Sequence, residues 1–145
     1  MKRGYFEETE IRLANLIIQP GTQMYRDGWR TGRCSVLLED FHYVDRRERR
    51  HTARAGLLTD GGTFEIGWYS FDRPFGQFLA AYVVHDQFCA DVRDVESTGD
   101  HVGAVALRKS GDRLMPEMMQ ALDAPLWKWL LAWVCVRVEA KLAGF

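Results

Sequence analysis

The stretch PFGQFLAAYVVHDQFCADV, residues 74–92, is where the chain changes its hydrophobic period. Phe75, Phe78, Leu79, Tyr82, Val83 and Phe88 recur at the spacings of a helix with one face against a core. Upstream, Val36, Leu38, Phe41 and Tyr43 of CSVLLEDFHYV come close to strict alternation, the pattern of a half-buried strand. Strands first and helices later predict an α+β fold: an antiparallel N-terminal sheet packed against about three C-terminal helices. We expect a single domain over 1–145, β-rich over 31–66 and helical over 74–142, with 1–30 either in the sheet or an arm.

Working outward, IRLANLII stops at Pro20-Gly21, and YRDGW carries the tight-turn pair Asp27-Gly28. DRRERRH lies between two apparent strands, and TARAGLLTDGG reads as another short strand ending in a glycine pair. VESTGDHVG reads as a turn-rich connector. VALRKSGDRLMPEMMQAL is a second helical candidate, in which Gly111 and Pro116 are local faults; an interior proline predicts two shorter pieces. DAPLWKWLLAWVCVRVEAKLAGF is the clearest helix, with Asp123 as N-cap, Pro125 near the first turn and Gly144 past the end. Its Trp127, Trp129 and Trp133 are expected to anchor it in the core; exposed, they would mark a protein interface.

Nearly half of the 145 residues are apolar, with five Trp and eight Phe, enough for a buried core and too much for a disordered chain. A formal net charge of −1 gives no steering field toward nucleic acid. The four arginines of DRRERRH are diluted by Asp45 and Glu48 and lack interleaved aromatics, so they read as a solvated hairpin tip. No membrane span is expected, because LWKWLLAWVCV is short and interrupted by Lys128. MKRGYFEETE places acids where a secretory signal would be apolar, which favours cytoplasmic synthesis. Cys34, Cys89 and Cys135 have no metal or redox spacing and read as reduced thiols.

The chemistry-bearing pair is His85-Asp86. Neighbours on a helix point about 100° apart, so any cluster needs partners brought by the fold. Asp60, beside glycines at a strand end, and Asp112, on the second helical stretch, are the candidates; Asp72, Asp91 and Asp94 fall in turn-like surroundings. An imidazole with several carboxylates could ligate Zn²⁺, Mn²⁺ or Mg²⁺ through Asp60, His85, Asp86 and Asp112 and so activate water. Without metal, a carboxylate could orient His85 as a general base. Cys89, one turn after His85, could pair a thiol with the imidazole, or simply pack. His51, His85-Asp86 and Asp112 follow the order of HD-type metal phosphohydrolases, but His51 lies among strands where those domains are helical.

LLEDFHYV, GLLTDGGTF, PFGQFLAAYVVHDQFC and SGDRLMPEMMQALDAPLWKWLLAWVCVRV together resemble a small bacteriophage and prophage family of unknown function, over residues 36 to 140. The resemblance matches Thr59, Asp60 and Gly61 to the family's T-D-G motif, with Thr63 where it has Ser. His85 and Asp86 match its H-D motif, and Asp112 matches the acid of its A-D motif. The proline of the first motif is missing, and Gln87-Phe88-Cys89 replaces a Leu-Tyr ending. The resemblance implies a virion- or tail-associated structural protein, partnered by other tail or baseplate proteins and located in the virion. It also implies an alternative, a small metal-dependent or acid–base hydrolase used when the phage enters or lyses its host. Asp60, His85, Asp86 and Asp112 would then be the site.

Overall fold

Short antiparallel strands fill the first half of the computed structural model, which describes residues 2–29, 34–61, 65–66, 69–70 and 76–145. They are β1 (Tyr5–Phe6), β2 (Leu13–Asn15), β3 (Ser35–Leu37), β4 (Phe41–Val44), β5 (Arg50–Ala53), β6 (Leu58–Thr59), β7 (Glu65–Ile66) and β8 (Tyr69–Ser70). One turn of helix, α1 (Gln23–Arg26), lies between β2 and β3, and the Asp27-Gly28 turn closes it. Three long helices follow: α2 (Leu79–Ser97), α3 (His101–Ala121) and α4 (Leu126–Leu142). The architecture is therefore α+β, but the strands form two three-stranded sheets, ordered β1-β4-β5 and β2-β3-β6, and a separate β7-β8 pair.

The arginine-rich run is the turn of the β4–β5 hairpin, in which Val44 pairs with Arg50 and Tyr43 with His51. Most of its charges are engaged internally. Asp45 accepts from the Arg49 side chain and from His51, Arg50 meets Glu7, and Arg46 donates to Glu117 on α3 (2.7 Å). Glu117 also accepts from the Tyr43 hydroxyl at 2.9 Å, so one carboxylate ties the hairpin to α3. His51, held by Asp45 on β5, takes no part in a site with Asp112.

Helix α2 sits between layers, against β4, β5 and β6 on one side and α3 on the other. Its buried Ala81, Tyr82, Val83 and Val84 meet Leu37, Phe41 and Tyr43 from the sheets and Leu114, Met115, Met118 and Met119 from α3. Each large side chain so removed from water contributes about 1.5–3 kcal/mol. Pro74, Phe75, Asp72 and Thr63, all used in reading the sequence, lie outside the described residues.

The fold departs from expectation at four points. The supposed connector VESTGDHVG is mostly helix: α2 runs to Ser97, and Asp100 caps α3 by accepting from the Gly103 N–H at 2.8 Å. Asp91 and Asp94 are consequently helical residues, not turn residues. Helix α3 runs unbroken through Pro116; the missing N–H leaves the Asp112 carbonyl without its helical donor, and burial of Met115, Met118 and Met119 on the same face outweighs that loss. Asp123 is not the cap of α4; it has φ +58° in the preceding turn, and Pro125 holds the cap position. Finally, Trp129 packs on the core but Trp127 and Trp133 are exposed, because α4 rests on α3 along one face only.

Candidate functional site

His85 and Asp86 lie at the end of the second turn of α2, and their angular offset sends them to different partners. His85, buried, points across to α3, where its Nε2 lies 2.8 Å from Asp112 Oδ1. Its other ring nitrogen, Nδ1, is 3.7 Å from the Cys89 sulfur one turn along the same helix. Asp86 turns toward the sheet, and its Oδ2 accepts the Thr59 hydroxyl of β6 at 2.5 Å. That hydroxyl oxygen also accepts the Gly61 N–H at 3.1 Å. Gly61 has φ +74°, a backbone position that glycine occupies without strain, and this lets the chain fold back on Thr59 and leave Asp60 facing α2.

Asp112 is fully buried and heavily engaged. Oδ1 also accepts from Arg108 Nε (3.0 Å), one turn earlier on α3, and Oδ2 accepts from Arg137 on α4 (2.6 Å). Burial alone would raise its pKa; the bond to His85 and the two guanidinium groups outweigh this and hold it below the usual carboxylate range. Burial likewise opposes the His85 imidazolium. The contacts with the Cys89 sulfur and with the Asp112 carboxylate overcome it and lift His85 to about 10. At Asp86 burial comes first and the negative charge of Asp60 second, and together they push the carboxyl up to about 7 despite the Thr59 bond. Helix α3 can come this close because of Gly111, where a Cβ would lie 2.7 Å from Phe88 of α2.

Asp60, His85, Asp86 and Cys89 face one cavity of about 200 Å³, whose wall also includes Arg93 and Glu139; Asp112 lies behind His85, off that wall. The four residues predicted from sequence are gathered in two arms, Thr59–Asp86 with Asp60 beside it and Cys89–His85–Asp112, and three of the four (Asp60, His85 and Asp86) reach the cavity. They do not form one ligand set. Among the described residues, the group whose ligand atoms lie within 4.8 Å of one another is Glu7, Glu8 and His42, at the β1–β4 edge. There Glu7 is paired with Arg50, and Glu8 accepts the His42 N–H.

A family model described as "Protein of unknown function (DUF1353)" matches residues 35–136. The chain belongs to the DUF1353 family. No curated protein and no solved structure matches it. The part of the chain shared with DUF1353 runs from β3 nearly to the end of α4 and includes both arms of the site, from Thr59 to Asp112. Arg137, which completes the clamp on Asp112, falls one residue beyond it.

Sequence reasoning missed three arginines at this site in the DUF1353 chain. Arg108 was findable, since it precedes Asp112 by four residues on a helix. Arg93 was findable in the same way, four residues after Cys89 on α2; Arg137 was not, because only the packing of α4 on α3 brings it in. Cys89 was noticed for its spacing, but the third partner that makes its pairing chemically useful lies 27 residues from His85.

Proposed function

We propose that this chain is a small thiol-dependent hydrolase of an ester, amide or related acyl bond, a form of the acid–base hydrolase that the sequence admitted. One observation carries the reading: a relay from the part-buried Cys89 Sγ through both nitrogens of buried His85 to Asp112, opening on a cavity. The proton of the Cys89 thiol rests on His85 Nδ1, and Asp112 holds the imidazolium through Nε2–H. The sulfur attacks the acyl carbon, the carbonyl electrons move to oxygen, and Arg93 on the cavity wall faces the developing charge. Collapse expels the leaving oxygen or nitrogen, which takes the proton from His85, and leaves an acyl-sulfur bond on Cys89. Water, losing a proton to His85, then cleaves that bond and releases a carboxylic acid. Asp86, balanced between its two forms near neutral pH, is placed to assist as a second acid. No metal enters this scheme, since the four candidate ligands stand as two separate arms.

A panel of acyl esters, thioesters and peptide amides, assayed with wild type, Cys89→Ala and His85→Gln, tests the proposal. Turnover by wild type alone supports it. Turnover that survives Cys89→Ala rejects the nucleophile.

A second reading has an observation of its own. The same contacts join β6 to α2, α2 to α3 and α3 to α4, as a structural clamp would. With the resemblance to phage proteins, this favours a virion- or tail-associated component that meets other tail or baseplate proteins. Mass spectrometry of purified particles decides that placement, and absence of the chain from the particle rejects it.

A further inference from the structure

Helix α4 is apolar around its whole circumference. In a helix on a protein surface one face is expected to be polar, and helices apolar all round are buried on both sides. Here one face, with Trp129, Ala132, Val136 and Ala140, meets the rest of the fold. The opposite face presents Leu126, Trp127, Leu130, Val134, Val138 and Leu142, all exposed; Trp127 is 60% accessible and Val134 46%. With Trp133 on its margin, this stripe offers roughly 700 Å² of apolar surface, more than the largest patch of a typical monomer and close to the ~800 Å² each partner gives a standard interface.

We propose that the exposed face of α4 docks on the same face of a second copy of this chain, in an antiparallel pair about a two-fold axis at Val134. The spacing argues for a copy over an unrelated partner. The apolar positions 126, 130, 134, 138 and 142 are symmetric about 134. An antiparallel mate therefore sets Val134 on Val134, Leu130 on Val138 and Leu126 toward Leu142, as an isologous contact requires. The same operation lays Lys141 across from Trp127, where an ammonium over an indole is favourable. The two Lys141 side chains end about 21 Å apart along the axis, beyond the reach of mutual repulsion in physiological salt. Arg137, the other cation on this face, already spends its charge on Asp112.

Sedimentation velocity and light scattering of the purified chain over a hundredfold concentration range test the proposal. Wild type is expected at twice the monomer mass. Val134→Glu and Val134→Lys, each at an exposed position that leaves the fold's circular dichroism unchanged, place like charges on the axis and weaken pairing by about 100-fold or more. An equal mixture of the two variants restores the dimer, which neither a misfolded variant nor a generally polar surface would do. A wild type that stays monomeric overturns the proposal, and so does a dimer indifferent to Val134→Glu. A monomer that instead floats with phosphatidylcholine–phosphatidylglycerol vesicles assigns the face to lipid and overturns it equally.

Discussion

Replacing Asp86 by Asn should change how stability depends on pH, and the size of the change follows from the site. Asp86 sits at about 7 in the folded chain against an ordinary 3.8. A carboxyl whose folded pKa is raised holds its proton more tightly folded than unfolded. Its contribution is therefore present below about 3.8, falls as pH rises and is gone above about 7. A difference of about three pH units corresponds to ~4 kcal/mol against the charged form, an upper bound because the cavity admits water. Asn keeps the shape and still accepts the Thr59 hydroxyl, but it carries no charge. Asp86→Asn should accordingly be about 2–4 kcal/mol more stable than wild type at pH 8 and no more stable at pH 4. Urea unfolding of both proteins at pH 4, 6 and 8 measures this, and the difference between them cancels the opposite acid-side slopes of Asp45 and Asp112, both held low. Parallel pH profiles, or a mutant less stable at pH 8, would refute the claim that Asp60 and burial disfavour the Asp86 carboxylate.

Two further outcomes follow from the packing around Asp112. Asp112→Ala removes the carboxylate shared by the buried Arg108 and His85 and the partly buried Arg137, leaves Arg108, among the described residues, only its 3.6 Å ion pair with Glu139, and should cost about 3–5 kcal/mol in chemical denaturation. A loss below 1 kcal/mol would show that the cluster is not held through that carboxylate. Gly111→Ala sets about 1 kcal/mol of helix propensity against overpacking of about 1–3 kcal/mol where the new Cβ meets Phe88. The net is a loss that trimming Phe88 to Ala should reduce, and a more stable Gly111→Ala would mean that α2 and α3 do not approach this closely.

Much of this molecule could be read from its residues, for identifiable reasons. The switch in period near residue 74 separated strands from helices because periodicity is a local signal, and α2 keeps Tyr82 and Val83 buried as that period demands. His85-Asp86 stood out because two polar residues end an apolar run. Their partners Asp60 and Asp112 were guessed from strand-end and helix chemistry; Asp60 borders the cavity beside Asp86, and Asp112 bonds His85 from behind the cavity wall. What escaped depends on distance along the chain. The division of the strands into two sheets is decided by pairings such as Val44 with Arg50 and Ser35 with Thr59, which alternation alone cannot rank. Pro116 misled because a local helix breaker was overruled by the burial of its methionine neighbours. The metal-site expectation allowed for the divergence of adjacent helical residues but relied on the fold to bring Asp60, His85, Asp86 and Asp112 to one centre; Asp86 instead bonds Thr59 while His85 bonds Asp112.

The central claim is that His85 holds the proton of Cys89, and the pH profile of alkylation at that sulfur reads it directly. Iodoacetamide labelling followed by peptide mass spectrometry reports the three cysteines separately, and burial raises the Cys34 and Cys135 thiols. The account predicts that Cys89 is labelled first, and that between pH 6 and pH 8 its labelling is slower in His85→Gln than in wild type, by about tenfold or more at pH 6. A Cys89 profile that is the same in wild type and His85→Gln would contradict it.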